Sequence, residues 1–197
     1  MDQNAQVRRT ARRGDEVIDT YAAVDVGYPP TGGARAALVL GDSPTFSRLT
    51  GARVSMVDDV APYEPGLFYR RELPPVRAVL SELDRLPDLL VVDGFVDLDP
   101  SGTPGMGRYV HDEFGITVVG VAKTAFRTAT HALEVRRGTS TRPLLVTAAG
   151  LAPEAAASLV RQLAGRHRIP HALRAVDRLS RGLPVEALVP PTAPANG

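Results

Sequence analysis

Apolar and polar positions fall into blocks along the chain, and the blocks have two different periods. Residues 21–28 (Tyr-Ala-Ala-Val-Asp-Val-Gly-Tyr), 34–40 and 52–60 read as three strands. Pro29, Pro30, Gly32 and Gly33 mark a turn after the first, and the Gly/Asp/Ser/Pro stretch 41–44 follows the second. Three strands joined by short turns predict an antiparallel meander. Pro62-Tyr63-Glu64-Pro65-Gly66 then forms a structured loop, because two prolines and a glycine forbid regular pairing.

Beyond the loop the period changes. Val76, Val79, Leu80 and Leu83 recur at helical spacing, and Pro87 ends that helix. Glu72 falls just ahead of it. Residues 88–92 are a short, fully apolar strand running into Asp93-Gly94, and a Gly-rich polar loop covers 95–107. A short helix reaches Phe114, and residues 116–121 form another apolar strand ending at Ala122-Lys123. Residues 144–147 are a candidate last strand. Residues 153–163 read as a helix with proline in its first turn, and 173–179 as a final amphipathic helix. A meander followed by helix–strand alternation predicts an α/β domain with a mixed sheet flanked by helices.

Length and charge narrow the picture. A chain of 197 residues suits one domain, here 20–183. Residues 1–19 read as a polar, Arg-rich, helical arm, and 184–197 as a disordered Pro-rich tail. No apolar run approaches the roughly 18 residues of a membrane span. No apolar stretch follows the polar N-terminus, so a cytoplasmic location is the expectation, and a monomer is expected. The absence of cysteine excludes disulfides and thiolate metal sites. Net charge is only +1, but Arg8, Arg9, Arg12 and Arg13 cluster, and Arg70, Arg71, Arg161, Arg166, Arg168, Arg174, Arg178 and Arg181 recur. Such patches either neutralise phosphates or form solvated helix faces. Of 23 cationic side chains, Lys123 alone is a lysine.

The acids carry the candidate chemistry. Asp25 sits in Ala-Val-Asp-Val-Gly and Asp93 in Val-Val-Asp-Gly. Each apolar approach implies a buried strand, and a buried carboxylate is costly unless it is paired or bound to metal. Two such acids on neighbouring strands would repel, and one pKa would rise, unless a cation lay between them. Oxygen ligands suit a hard, partly hydrated cation, Mg²⁺ or Mn²⁺. Glu72 is placed to be a third ligand. The competing reading of each acid alone is a turn cap.

Five segments occur here in the order seen in the endonuclease V family, which the chain resembles over roughly residues 20–182. They are Val24-Asp25-Val26-Gly27, Pro62-Tyr63-Glu64-Pro65-Gly66-Leu67, Arg71-Glu72-Leu73-Pro74, residues 87–94, and Val119-Gly120-Val121-Ala122-Lys123. The resemblance implies a ribonuclease-H-like fold. It implies metal-dependent hydrolysis of a phosphodiester bond 3′ of a deaminated purine, inosine, in DNA or RNA. Its catalytic acids fall on Asp25, Glu72 and Asp93, its active-site lysine on Lys123, and a further metal-proximal position on Asp177. Pro62, Tyr63 and Pro65 match the wedge that enters beside the lesion. Gly66, Leu67 and Gly94 would edge the base pocket.

Two segments depart from the family pattern. Gly94-Phe95-Val96 stands where the family has Gly-His-Gly, and Ala148-Ala149-Gly150 where it has Gly-His-Arg. The substitutions remove hydrogen-bond donors and one cationic side chain, and Val96 adds bulk. Two further readings follow. One is a divergent member using the same metal site on another substrate, such as a small molecule in a specialised pathway. The other is a non-catalytic nucleic-acid-binding protein.

Overall fold

The computed structural model of the chain describes residues 20–62, 64 and 67–185. The predicted arm 1–19 and the tail from 186 onward lie outside these. The described elements are strands β1 (Tyr21–Gly27), β2 (Ala34–Gly41) and β3 (Leu49–Val57), helix α1 (Tyr69–Leu80), β4 (Leu89–Asp93), α2 (Met106–Phe114), β5 (Thr117–Ala122), β6 (Leu133–Val135), β7 (Leu144–Ala149), α3 (Pro153–Gln162) and α4 (His171–Ser180).

Strand burial explains the layers. Ala23, Val91, Val119, Val121 and Val146 point to one face, while Ala22, Val24, Leu90, Val92 and Val118 point to the other. A strand apolar on both faces must be covered on both. Val76, Val79 and Leu80 of α1, with Met106 and Val110 of α2, cover one face. Ala156, Ala157 and Val160 of α3, with Leu173 and Val176 of α4, cover the other.

The seven-stranded sheet has the order β3-β2-β1-β4-β5-β7-β6. The meander β1–β2–β3 is antiparallel, as predicted. β1, β4 and β5 are parallel neighbours, and β7 returns antiparallel to β5. The carboxyl ends of β1, β4 and β5 therefore open at one edge of the sheet. In open α/β sheets that edge is where ligands bind.

β6 and α1 differ from the expectation, and α1 ends at Leu80 rather than at Pro87. β6 is three residues long, too short for a period to show. α1 begins at Tyr69, so Glu72 lies inside the helix rather than ahead of it. Pro74 and Pro75 also sit within α1. Prolines there remove two helical donors. The first turn closes before them, through Arg70 N–H and Arg71 N–H donating to the carbonyls of Leu67 and Phe68, both at 3.0 Å.

Gly120 of β5 is tightly packed near the open edge. A Cβ there would lie 2.7 Å from the Gly94 carbonyl oxygen, 2.8 Å from Thr147 Oγ1 and 2.9 Å from the Val96 nitrogen. Gly120→Ala is expected to destabilise the domain by about 1–3 kcal/mol, the usual cost of overpacking. Urea denaturation checks this, and an unchanged midpoint would contradict the packing described.

Candidate active site

Asp25 lies in β1 and Asp93 is the last residue of β4. Val24 pairs with Val92, so the next step along these parallel strands sets Asp25 beside Asp93. Hydrogen-bonded strands run roughly 4.8 Å apart, which brings the two carboxylates to close range. Glu72 reaches the same edge from α1 and is 9% exposed. Lys123 follows the end of β5, and its ammonium donates to Asp93 Oδ2. Asp177 of α4 stands 3.8 Å from Lys123 Nζ and 2.9 Å from Arg181. It thus makes both the site contact and the i,i+4 pair that its position allows. All five groups are those singled out from the sequence, and the fold brings them to one edge.

The electrostatics follow from this crowding. Burial, then the charges of Asp25 and Asp93, push the Glu72 carboxyl up to about 8. Burial also raises Asp93, while the Lys123 ammonium partly offsets this. Among the described residues, no three acids or histidines stand ready-made around one metal position. Lys123, Arg71 and Arg181 face Asp25, Glu72, Asp93 and Asp177, three cations against four acids.

A cavity of about 330 Å³ opens beside the acids. Glu72, Asp93 and Gly94 form its polar side, and Phe68, Tyr69, Phe95 and Phe126 its aromatic walls. Phe95 and Phe126 are tilted rings with centroids 6.2 Å apart. Gly94 has φ of +148°, a conformation that glycine tolerates, and it lets the chain turn out of β4 into the cavity wall. Leu67 is half-buried and leads directly into Phe68, and Pro62 is exposed. Tyr63, Pro65 and Gly66 lie outside the described residues.

The two departures have different consequences. Phe95 does line the cavity. Val96 does not: it is fully buried in the core and packs toward Gly107 of α2, so its bulk never enters the cavity. Its N–H donates to Thr147 Oγ1 at 2.8 Å. Ala148 and Ala149 pair with Val119 and Val118, near the start of β5. That is about 10 Å from the site edge at roughly 3.3 Å per residue. Ala149 is buried and Ala148 half-buried, and both positions lie away from the acids.

Sequence reading missed several supporting groups. Ser180 of α4 donates to Asp25 Oδ2 at 2.9 Å. The Arg71 guanidinium lies 3.8 Å over the Tyr28 ring, beside Glu72. Arg168 donates to the backbone carbonyls of Lys123 and Pro143. Arg168 therefore braces a loop rather than meeting solvent. Only contact across the fold identifies these roles; spacing along the chain carries no signal for them.

A mixed sheet flanked by helices, with carboxylates and a lysine at the carboxyl ends of its parallel strands, defines a ribonuclease-H-like phosphodiester hydrolase. The family model for endonuclease V matches residues 2–152. Endonuclease V of Azotobacter vinelandii is 35% identical over 185 residues, covering 83% of this chain and 82% of that protein. The Thermococcus kodakarensis enzyme is 34% identical over 165 residues, covering 84% and 79%. The chain belongs to the endonuclease V family. Among solved structures, the catalytic domain of human endonuclease V superposes with a TM-score of 0.71 at 24% identity, over 84% of this chain and 82% of that one. Endonuclease V of Ciona intestinalis, solved with a 23mer DNA containing an inosine followed by a ribo-adenosine, gives 0.72 at 17% identity, over 84% and 85%. These likenesses carry the fold.

The raised Glu72 pKa has a stability consequence. Unfolded, the carboxyl ionises near 4.5; folded, it holds its proton to about 8. Between these values the native state binds more protons, so stability falls as pH rises through the window. In chelator, the denaturation midpoint is expected to fall from about pH 5 to about pH 8, and Glu72→Gln to flatten that slope. An equally steep slope in Glu72→Gln would contradict the assignment.

Proposed function

We propose that the chain is a metal-dependent endonuclease that hydrolyses a phosphodiester bond 3′ of a deaminated purine, inosine, in DNA or RNA. The observation that carries this is the meeting of Asp25, Glu72 and Asp93 beside a base-sized, aromatic-walled cavity. At about 330 Å³ the cavity is at the small end of ligand sites, which run roughly 300–1,000 Å³. The bound inosine DNA of the Ciona relative supports nucleic acid as the partner.

The residues fit a divalent cation. All donors are carboxylate oxygens, which suit Mg²⁺ or Mn²⁺. Burial first, and then the charges of Asp25 and Asp93, hold the Glu72 carboxyl up, and an ion among these acids would offset the part due to charge. Asp25, Glu72 and Asp93 would hold the ion, with Asp177 at the margin. When bound, it supplies an activated water and neutralises phosphate charge.

The chain's own groups do the rest. The Lys123 ammonium, at the edge of the acids, binds a phosphate oxygen or holds the proton for the leaving oxygen. The rings of Phe68, Tyr69, Phe95 and Phe126 offer faces for stacking, worth about 1–3 kcal/mol per base, and exclude water from the acids. By the resemblance, Pro62, Tyr63 and Pro65 take the part of the wedge that helps turn the base out, and Gly94 lines the cavity. A deaminated base pairs poorly and costs less to extrude. With Phe95 in the wall, base selection leans on shape and stacking more than on side-chain hydrogen bonds.

Incubation with inosine-containing DNA and RNA plus Mg²⁺ or Mn²⁺ tests the proposal. Cleavage is expected 3′ of inosine and not in the inosine-free control. Asp25→Ala is expected to lose at least about 100-fold, since even groups behind a metal ligand cost 10–100-fold. Lys123→Ala is expected to lose about 10²–10⁴-fold, the usual share of a proton-transfer group. No cleavage of either substrate would overturn the proposal, and metal-dependent turnover of a small nucleotide would transfer the site to that substrate class.

A further inference from the structure

We infer that Ser180 is a positioning residue for the metal site. Its hydroxyl fixes the Asp25 carboxylate, and Gly27 is glycine so that it can. The inference rests on the proposed role of Asp25 as a metal ligand.

Ser180 ends α4 and is 2% exposed. Its Oγ lies 2.9 Å from Asp25 Oδ2 and 3.0 Å from the Asp177 carbonyl oxygen. A serine hydroxyl has one proton to give. The Asp177 carbonyl already accepts from Arg181 N–H at 3.3 Å, within the helix end. A carboxylate is the stronger acceptor, with charge-assisted bonds roughly twice as strong as neutral ones. The proton therefore goes to Asp25. One hydroxyl thus ties the β1 acid to the turn of α4 that carries Asp177.

The backbone of β1 is cut to fit this contact. A Cβ on Gly27 would overlap the Ser180 carbonyl oxygen and lie 2.8 Å from its carbonyl carbon and 3.1 Å from its Oγ. The first two are backbone atoms that cannot swing aside. The constraint at Gly27 is close approach, since it is not among the positive-φ glycines. Any side chain there would lift the end of α4 away and draw the hydroxyl off Asp25.

An aspartate carboxylate can rotate about its last bond. The Ser180 bond occupies one Oδ2 lone pair and so sets the carboxylate plane. Oδ1 and the remaining Oδ2 lone pair are left for a cation. Groups that orient a metal ligand in this way are worth roughly 10–100-fold in metal affinity. A merely structural serine would alter stability and leave metal affinity alone.

Calorimetric Mn²⁺ titration of the full chain separates the two. Ser180→Ala is expected to raise the Mn²⁺ Kd about 10-fold or more, with Tm close to that of the unaltered chain and cleavage largely recovered at saturating Mn²⁺. Gly27→Ala is expected to weaken Mn²⁺ binding in the same direction. Should Ser180→Ala lose its fold, Ser180→Cys keeps the volume, weakens the donor and is read in the same way. A Kd within about twofold of the unaltered chain, when Asp93→Ala abolishes binding, would overturn the role of Ser180 and leave the metal site standing. No Mn²⁺ binding by the unaltered chain would overturn both.

Discussion

Val24 pairs with Val92, and one residue further along these parallel strands Asp25 meets Asp93. Both strands are apolar to that point because both of their faces are covered by helices. The chain therefore delivers two carboxylates to the rim of a dry core, and α1 adds Glu72 from the helical layer. Repulsion among these acids is the constraint that the surrounding structure answers. It adds to burial in Glu72, whose carboxyl is held up to about 8. Lys123 answers part of it, and the proposed divalent cation would answer the remainder.

The neighbouring structure holds those charges in place. Arg168 donates to the Lys123 carbonyl and, at 2.9 Å, to that of Pro143, tying the end of β5 to the start of β7. Thr147 receives the Val96 N–H and anchors the chain as it leaves Asp93. Arg108 makes two bonds to Asp97, at 2.9 and 2.7 Å, which pin the loop that walls the cavity. These side chains act on the backbone and on the loop, so they set where the site's residues stand rather than meeting the substrate themselves.

The meander, the two central apolar strands and all five charged site residues were legible in the sequence. An apolar run that ends on Asp and Gly points to a carboxylate held at a buried strand end, and a lone lysine among 23 cations stands out. The start of α1 was not legible. Its apolar spacing begins only at Val76, and Pro74 and Pro75 hide the turn that precedes them. Nor were the fates of the two departures. Val96 and Phe95 are adjacent in sequence, but the loop after β4 sends one to the core and the other to the cavity. Ala148 and Ala149 fall where the family carries recognition groups, yet β7 runs antiparallel and takes them to the far end of the sheet. Ser180 and Gly27 are 153 residues apart and form a contact that only the fold creates.

The central claim is that these acids converge to hold a hard divalent cation. A crystal of the chain soaked in Mn²⁺ and measured at the manganese edge tests it most directly. An anomalous peak is expected, bounded by carboxylate oxygens of Asp25, Glu72 and Asp93 at roughly 2.0–2.3 Å, as oxygen-ligated ions of this size require. A peak elsewhere on the chain, or none in this place, would contradict it.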